Sequence, residues 1–557
     1  MFSAPISETR RQASATNLPI VSRSRSSPFL GGCAIALASL AFFICFRSNF
    51  FLDVDGALRC LSVFHTKQLS FHGNNHMLYP AWVFSWHKAL ARFGISATDA
   101  TQFMRLSQSM NASMAAVSLG IFYSLLSFAT GQRAAMVGTL MLGLSTANLL
   151  HATNSAEVLP GFFFSVVAMA ILIVGLSRRE KLLLALSGGV FALALASYEA
   201  SGLAGGLAIF APLLWPVGGQ MWPAELRTRL KWLEYIAFGG IVGVCLIYGA
   251  AYHMQGIGVS DMPRRFFDAG GGGEAYGYFR LSKMVNIPFG LIANLFGGVP
   301  PGYSGVRSLL RNDHRNLWIP LVLLGLVLTL TMVSISIAGC LRLTGRLQRS
   351  WLVICLLPLF AVLFPLLYWD PMYDKLWFTP LAVIAFLTAL SLKRNALRGA
   401  LRRVQWSLVI VVIATEAIVN VPRVVHQHFA ETPHLQDAKS LASIAGPRDW
   451  IVLDFDDISQ LWIAFWGYGS KFLMLPASSR QQTAKWFLDA ESSCRTDKSR
   501  ILFVNVLDQD RDTWTEFLGK RIGIPFEMLE KYRREAVVIS AFKSADHPST
   551  VRAVACE

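Results

Sequence analysis

The sequence predicts an α-helical polytopic membrane protein of about eleven transmembrane helices, followed by a small extracytoplasmic α/β domain. Of the 557 residues, 54% are hydrophobic and only 15% are charged, and the mean hydropathy is positive at +0.45. Apolar runs of about 17–25 residues, the length that crosses a bilayer, recur along most of the chain. In the last part of the chain, short apolar runs alternate with helical patterns instead, as they do in α/β domains.

These patterns divide the chain into three parts. Residues 1–28 are rich in Ser and Arg and poor in apolar residues, which predicts a disordered cytoplasmic tail. Residues 29–421 form the transmembrane domain, with large outer loops at 51–107 and 253–316, and residues 422–557 form the extracytoplasmic domain. The apolar run that begins at Phe29 is interpreted as the first span and not as a signal peptide, because no small-residue cleavage site follows it.

Further spans are predicted wherever an apolar run approaches the length that a tilted helix needs. They lie near 108–129, 132–150, 158–177, 182–198, 201–216, 234–252, 317–339, 351–369, 375–392 and 405–421. Within the second outer loop, the stretch from Met284 to Arg311 is amphipathic and interrupted by Gly and Pro. That pattern predicts interfacial helices on the membrane surface.

The positions of the basic residues set the orientation of the spans. With the N-terminus inside, every predicted cytoplasmic connection contains Arg or Lys, whereas the short outer connections 151–160 and 198–201 contain neither. This asymmetry is what the positive-inside rule expects. The net charge of +16 is therefore spread over many connections and does not form a basic stripe interleaved with aromatic residues. Nucleic-acid binding is excluded as the function on this ground.

The first outer loop concentrates titratable and hydrogen-bonding side chains beside the membrane. Asp53 and Asp55 stand two residues apart, directly after the first span. The loop then contains histidines, asparagines and aromatic residues, namely His65, His72, Asn74, Asn75, His76, Tyr79, Trp82, Trp86 and His87. Carboxylates at a membrane face are expensive unless they are solvated or used. The loop is therefore interpreted as half of an active site.

The two aspartates have two interpretations each. Either Asp53 or Asp55 caps the helix that begins near Gly56. Alternatively, one of them is a general base that accepts a proton from an acceptor hydroxyl. Both interpretations hold if each aspartate takes one role.

The histidines also have two interpretations. His72 and His76 are four residues apart, which on a helix would place both on one face and favour a metal site, but Gly73 argues against a regular helix there. Hydrogen bonding of sugar or phosphate oxygens by these histidines, and by Asn74 and Asn75 between them, is therefore favoured. No metal site is predicted and no cofactor is required, although a divalent cation stays possible.

Two further segments at the outer ends of spans contain candidate residues. Glu157 lies in HATNSAEVLP with no cation nearby in the sequence, and it is either an interfacial acid facing water or a third catalytic acid. The segment WDPMYDK places Tyr373 and Lys375 at the outer ends of two spans. Lys375 is a candidate partner for a lipid phosphate. Its alternative role is an ordinary ion pair with Asp370 or Asp374.

The C-terminal part predicts strands at 450–454, 501–505 and 536–540, and helices at 481–491 and 512–520. The eight cysteines show no metal-binding spacing. Cys494 and Cys556 both lie in this part of the chain. If the domain is extracytoplasmic, they form one disulfide; two free thiols are the alternative.

The pattern of loops and spans resembles the GT-C superfamily of membrane glycosyltransferases, and most closely the branch of the protein O-mannosyltransferases and their bacterial relatives. The resemblance is carried by DVDGALR and HGNNHMLYPAWVFSWHKAL in the first outer loop, and by NSAEVLPGFFFSVV at the entry into the fourth span. It covers roughly residues 29–215 in motif and the rest in layout. The chain departs from the O-mannosyltransferases in lacking an adjacent Asp-Glu pair in loop one and a β-trefoil tail, which puts a protein acceptor in doubt.

The resemblance implies a glycosyltransferase that takes a sugar from a polyprenyl-phosphate donor and transfers it, with inversion, to an acceptor outside the cytoplasm. The family's catalytic Asp falls on Asp53 or Asp55, with Asp53 favoured, and the second acid falls on Glu157. Cations that neutralise the leaving lipid phosphate are expected among Arg264, Arg265, Arg280, Arg311 and Lys375. The resemblance further implies membrane lipids as partners and a bacterial inner membrane with the C-terminal domain in the periplasm.

Two other classes of protein compete with an enzyme. A glycolipid transporter needs ionisable residues within its spans, and Glu416 is the exception among spans that hold almost none. A scaffold subunit of an envelope polysaccharide machine would use the C-terminal domain as a docking face. Both remain as alternatives to the glycosyltransferase.

Overall fold

The computed structural model describes a helical bundle and a small mixed sheet. The described residues are 27–49, 54–69, 71, 77–201, 208–215, 225–262, 281–297, 318–343, 346–368, 374–393, 396–397, 399–429, 440–441, 443–446, 448–453, 472–474, 480–508, 511, 526–543 and 548–555. The chain divides into two compact units. The first contains residues 1–48, 68–96 and 104–426, and the second contains residues 49–67, 97–103 and 427–557.

The helices of the bundle follow the apolar runs of the sequence. In chain order, and including α2 of the second unit, the helices of eight or more residues are α1 (Ser27–Cys45), α2 (Val54–Thr66), α3 (Tyr79–Ala91), α4 (Ala100–Thr130), α5 (Gln132–Leu144), α6 (Thr146–Thr153), α7 (Val158–Arg178), α8 (Lys181–Ser197), α9 (Leu226–Met254), α10 (Ile287–Phe296), α11 (Trp318–Leu341), α12 (Arg346–Tyr368), α13 (Phe378–Ser391) and α14 (Gly399–Phe429). A single helical turn at Ala211–Leu214 lies between α8 and α9. Short 3₁₀ turns at Leu281–Asn286 and Asp374–Leu376 precede α10 and α13.

Within the described residues, six helices are long and apolar enough to cross a membrane, namely α1, α4, α7, α9, α11 and α14. Helices α5 and α6 meet at 62° and add a seventh crossing if they form one broken span. Shorter apolar helices include α8 and α13, where spans were also predicted. These helices support an integral membrane protein, and the count of about eleven spans stays a prediction.

The break between α5 and α6 has an identifiable cause. Ser145 leaves the helical region at ψ 146°, and its hydroxyl accepts a hydrogen bond from the backbone N–H of Asn148, which caps α6. From α14, the side-chain amide of Asn420 donates to the carbonyl of Leu144 at 2.8 Å and to that of Leu295 in α10 at 2.6 Å. The bend is therefore held by polar contacts from two other helices, because in lipid every freed carbonyl needs a donor.

Helix α10 lies in the main core of the bundle. Leu291, Ile292, Leu295 and Phe296 all belong to that core. The sequence predicted interfacial helices for this stretch, and for α10 the structure differs. Six of its ten residues, all between Gly290 and Phe296, are buried, and the helix packs against α6 and α11. Residues 298–311 of the predicted stretch lie outside the described part of the chain.

Helices α8 and α9 touch backbone to backbone. A Cβ atom added to Gly188 would lie 2.0 Å from the carbonyl oxygen of Ile236, and one added to Gly239 would lie 1.9 Å from that of Ala185. Small residues at such crossings let the helices approach, since packing and not hydrophobic burial drives association in lipid. The two helices consequently admit no side chain at either crossing point.

The second unit contains a five-stranded mixed sheet within the described residues, in the order β2-β1-β3-β5-β4. Its strands are β1 (Trp450–Leu453), β2 (Phe472–Met474), β3 (Arg500–Val504), β4 (Val537–Lys543) and β5 (Pro548–Ala555), and its helices include α15 (Arg480–Asp497) and α16 (Phe526–Glu535). Strands β1, β2 and β3 are parallel, whereas β5 is antiparallel to both β3 and β4. Strands β1, β3 and β4 and helix α15 confirm the predicted strand–helix alternation.

The sheet is covered on both faces. Val452, Ile501 and Phe503 lie in one apolar cluster with Tyr532 of α16, whereas alternate residues such as Leu502 lie in a second cluster. This alternation is the period of two that a β-strand imposes. Cys494 on α15 is buried and disulfide-bonded, in agreement with the predicted disulfide; its expected partner at 556 lies outside the described residues.

Candidate active site

Glu157 stands at the N-terminal boundary of α7. The helix begins at Val158, and Pro160 in its first turn suits this start because a proline there removes no helical hydrogen bond. Glu157 itself has φ −70° and ψ −17°, and its carboxylate makes no capping hydrogen bond to α7. The side chain is fully buried, so the interpretation of Glu157 as an acid facing water does not hold. Its carboxylate is instead available to another element.

That element is the 3₁₀ turn before α13. The ammonium nitrogen of Lys375 lies 3.1 Å from Oε1 of Glu157, and the two side chains are 6% and 0% exposed. A buried charge is stable only when it is paired, so each residue requires the other. The carboxylate also lies where the positive end of the α7 dipole favours a negative charge. The structure thus joins two of the candidate residues predicted from separate segments. The alternative ion pair of Lys375 with Asp370 or Asp374 involves side chains outside those that the structure describes.

Aromatic side chains follow both members of the ion pair in the sequence and contact one another. The ring of Phe378, three residues after Lys375, lies 5.1 Å from that of Phe162 and 5.4 Å from that of His151. All three rings are buried. Such edge and tilted contacts fix ring positions more strictly than aliphatic packing does. This aromatic layer therefore holds together the starts of α7 and α13, the helices that follow Glu157 and Lys375.

An apolar cavity begins on the other side of this layer. It has a volume of about 110 Å³ and is partly open, and its lining comes from α4, α7, α8, α12 and α13. Phe162 and Thr379 line its end nearest the ion pair, one helical turn from Glu157 and Lys375, and Ile173 lines its far end. Ile173 follows Phe162 by eleven residues along α7, a rise of about 16 Å, so the cavity is elongated along the helix axes.

A second lysine lies at the same end of the bundle, and sequence reasoning missed it. Lys283, in the 3₁₀ turn before α10, donates to the carbonyl of Tyr368 at the C-terminal end of α12 at 2.7 Å. A cation at this position satisfies one of the carbonyls that a helix end leaves unpaired. In the sequence its signal was a single lysine between Ser282 and Met284, three residues after Arg280, which attracted the prediction instead.

Most of the other predicted site residues lie outside the described part of the chain. These are Asp53, His72, Asn74, Asn75, His76, Arg264, Arg265, Arg280, Arg311 and Tyr373. The backbone of Asp55 forms the first turn of α2, as expected for a helix beginning there, but its side chain is not among those described. Tyr79 is the first residue of α3 and is fully buried.

Metal ligands do not cluster in the part of the chain that the structure describes. No group of three His, Cys, Asp or Glu side chains there has the spacing of a metal site. The described site instead consists of one compensated charge pair, an aromatic layer and an apolar cavity. Such a set of contacts suits a ligand with an ionic head and a hydrocarbon tail.

Comparisons with known proteins agree with this layout. No protein family model and no curated protein matches the chain. Among solved structures, ArnT from Cupriavidus metallidurans bound to undecaprenyl phosphate aligns with a TM-score of 0.57 and 11% identity, over 94% of this chain and 97% of that one. The apo state of the same protein aligns with a TM-score of 0.53 and 12% identity over the same shares. The chain therefore shares its fold with ArnT from Cupriavidus metallidurans.

Proposed function

We propose that this protein is a membrane glycosyltransferase that moves a sugar from a polyprenyl-phosphate donor to an acceptor outside the cytoplasm. The observation that carries the proposal is the buried Glu157–Lys375 pair, one helical turn from an elongated apolar cavity. A polyprenyl phosphate combines the same two features, an anionic head and a hydrocarbon chain. The fold that the chain shares with ArnT, and the undecaprenyl phosphate bound to ArnT, support this class of donor.

In the proposed complex the first isoprene units of the donor occupy the cavity. Phe122, Val166, Met169, Ala382 and Phe386 present only apolar surface there. Burial of a prenyl chain against such residues stabilises the complex by about 25 cal/mol for each Å² of apolar surface removed from water. The phosphate then lies at the end of the cavity that adjoins Lys375. The ammonium group of Lys375 has three N–H donors, so it can pair with Glu157 and with a phosphate oxygen together.

The transfer proposed here is a single displacement. Asp53 or Asp55 removes the proton from the acceptor hydroxyl, and the hydroxyl oxygen attacks the anomeric carbon of the sugar. As that bond forms, the bond from the anomeric carbon to the phosphate oxygen breaks, and the lipid phosphate leaves with the electron pair. The leaving group gains a negative charge, which Lys375 stabilises. Attack opposite the leaving group inverts the anomeric configuration.

The disulfide at Cys494 supports an extracytoplasmic C-terminal domain. Disulfides persist in oxidising compartments and are rare in the cytosol. The absence of Lys and Arg from the short outer connections gives the same orientation. On both grounds the active loop and the C-terminal domain are proposed to face the periplasm of a bacterial cell envelope.

The test is transfer by purified protein in lipid vesicles that contain a labelled polyprenyl-phosphate sugar. Asp53→Asn or Asp55→Asn is expected to lower kcat by about 10²–10⁴-fold, the usual contribution of a general base. Glu157→Gln and Lys375→Gln are expected to lower transfer as well.

Asp99→Asn is the matched control, since Asp99 is an acid of the same loop. Its Oδ1 accepts from the backbone N–H of Gln102 at 2.8 Å, a capping contact that Asn also makes. Transfer by this variant should equal that of the wild type. Full activity in both Asp53→Asn and Asp55→Asn would remove the base from the mechanism, and absence of transfer with every donor would remove the enzyme class.

A carrier-lipid transporter is the second candidate, and Glu416 favours it. This residue of α14 is fully buried, and neither carboxylate oxygen has a hydrogen-bond partner among the described residues. Ionisable groups within spans commonly mark transport pathways. If transport is the function, Glu416→Gln abolishes movement of labelled lipid across vesicles, and Asp53→Asn and Asp55→Asn leave it unchanged.

A further inference from the structure

Helix α4 carries two buried amides next to the candidate site. Gln108 and Asn111 are three residues apart, so they lie on the same face of the helix. Both side chains are fully buried. Long polar side chains in an apolar helix are costly unless they make hydrogen bonds. The contacts of these two residues therefore show why α4 retains them.

Asn111 binds the chain immediately before Glu157. Its side-chain nitrogen donates to the carbonyl of Asn154 at 2.8 Å and to the carbonyl of Ala156 at 2.9 Å. Only the NH₂ end of an amide can face two carbonyls, so the orientation of the side chain is fixed. The two carbonyls flank Ser155, and Glu157 follows directly. Asn111 thus uses both of its N–H donors on the segment that sets the position of Glu157.

Gln108 binds the exit of the first helix. Its side-chain nitrogen donates to the carbonyl of Ser48 at 2.9 Å, and the backbone N–H of Ser48 donates to the carbonyl of Thr153 at 2.9 Å. The end of the α1 segment is therefore hydrogen-bonded to α4 and to the end of α6. From Ser48 the chain continues toward Asp53.

These contacts leave acceptors unsatisfied. The amide oxygens of Gln108, Asn111 and Asn154 are buried and have no hydrogen-bond partner within the described residues. A buried acceptor without a donor destabilises the fold. Apolar side chains at the two α4 positions would avoid part of this cost. Buried acceptors without donors are expected where function requires a specific geometry.

We propose that Gln108 and Asn111 form an amide clamp that positions Glu157 at the active site. The inference rests on the proposed glycosyltransferase function. The clamp does not touch the substrate; it fixes the segment from Thr153 to Ala156, and through it the direction of the Glu157 carboxylate. Loss of the clamp is therefore expected to lower kcat and to leave the KM for the donor nearly unchanged, because the cavity that binds the prenyl chain is not altered.

The kinetic test uses Asn111→Asp, which keeps the shape of the side chain and removes its donors. In its ionised form the new carboxylate faces two carbonyl oxygens, and kcat is expected to fall about 10–100-fold, the usual effect of a small misplacement. When the pH is lowered, the carboxyl group protonates and regains one donor, so the ratio of variant to wild-type kcat should rise. A role in stability alone predicts no such change in the ratio.

Gln405→Leu is the control for loss of a buried amide. Gln405 of α14 donates to Ser336 of α11 and to Ser391 of α13, and its described hydrogen bonds do not reach the 153–156 segment. This variant is expected to lower stability and to keep the wild-type kcat. If Asn111→Asp behaves as Gln405→Leu does, with unchanged kcat and a flat ratio across pH, the clamp is overturned.

A second readout does not depend on activity. The variant combines Ser48→Cys and Thr153→Cys in a background whose free cysteines are replaced by alanine. The two new cysteines should form a disulfide readily, because a backbone hydrogen bond holds residues 48 and 153 together. Gln108→Leu is expected to slow this cross-link several-fold, and Gln405→Leu to leave it unchanged. A cross-link that Gln108→Leu does not alter overturns the clamp. Absence of sugar transfer together with a slowed cross-link instead overturns the proposed function and retains the clamp.

Discussion

Lys375 and Glu157 are 218 residues apart in the sequence, and their charged atoms lie 3.1 Å apart in the interior of the bundle. Each residue belongs to the chain just before a helix, α7 or α13. The pair therefore fixes the relative height of two helices that both line the apolar cavity. It also places the ammonium group of Lys375 near the end of the cavity, which is the arrangement that the proposed anionic lipid head requires.

Removing one member of this ion pair is expected to lower the free energy of unfolding more than removing both members. Lys375→Met leaves the carboxylate of Glu157 buried without its cation, and the free energy of unfolding should fall by about 3–5 kcal/mol. In Glu157→Gln combined with Lys375→Met, no buried charge remains, so the loss should be smaller than in Lys375→Met alone. Thermal unfolding in detergent measures both variants. A double variant less stable than Lys375→Met would contradict the compensation of charge.

Filling the apolar cavity is expected to weaken donor binding. Ala382→Trp places a large ring among the lining residues of α13. The KM for the polyprenyl donor should rise about tenfold, which corresponds to about 1.4 kcal/mol, and the rate with saturating donor should change little. Leu186→Trp on α8, at a position that is 49% exposed, is the control for adding the same ring outside the cavity. Equal KM values in the two variants would exclude the cavity as the site of the chain.

The C-terminal sheet is expected to lose stability in acid through Asp449. Burial raises the pKa of this carboxyl group, but hydrogen bonds from Arg500 and from the backbone N–H of Gly446 outweigh burial and hold the pKa below its ordinary value. A carboxylate with a lowered pKa stabilises the folded state above its unfolded pKa, and this contribution is lost as the pH falls through the lowered value. Denaturant unfolding followed from neutral pH to about pH 3 measures it.

Asp449→Asn provides the matched comparison. It removes the ion pair, in which Oδ2 lies 2.6 Å from Nη2 of Arg500, and keeps the size of the side chain. The variant should lose about 2–3 kcal/mol of stability at neutral pH. Its free energy of unfolding should also fall less between neutral pH and about pH 3 than that of the wild type. Parallel pH profiles for the two proteins would exclude Asp449 as the source.

Adding a side chain at the α8–α9 crossing should prevent normal assembly. Gly239→Val would place carbon atoms against the backbone of Ala185, where a Cβ already lies 1.9 Å from the carbonyl oxygen. The helices must separate, so the yield of folded protein should fall sharply. Gly249→Ala in the same helix is the control, because a Cβ there has no neighbour within 4 Å. Size-exclusion chromatography after detergent extraction compares them, and equal monodisperse yields would contradict the close crossing.

The elements that sequence could predict are those with a local signal. Strand β1 was predictable because Trp450 begins a short apolar run bounded by polar residues. Strand β5 was missed because Arg552 interrupts its apolar pattern; in the structure this side chain pairs with Asp508 at 2.7 Å. The break at Ser145 was also missed, since residues 132–150 form one apolar run and the bend depends on Asn420 far along the chain.

The candidate site shows the same limit. Glu157 and Lys375 were both singled out because a charged residue at the end of a span is costly, but nothing in the sequence pairs them. Lys375 has acids closer in the sequence, and Glu157 has no cation near it. The amides of α4 carried a signal, two polar residues at helical spacing within an apolar run, that was not used. Pairing is a property of the packed helices and not of either segment.

The backbone contact between α8 and α9 has a mechanical consequence for how a lipid enters. Two helices whose backbones are in direct contact cannot slide past each other easily. We therefore expect them to move as one unit. Another wall of the cavity is formed by α12, where Pro358 lines the cavity and Pro365 follows two turns later. Each proline removes one backbone hydrogen bond of the helix, and a helix that lacks such hydrogen bonds bends more easily. We therefore expect a long prenyl tail to enter the cavity beside α12, which bends, while α8 and α9 stay in place.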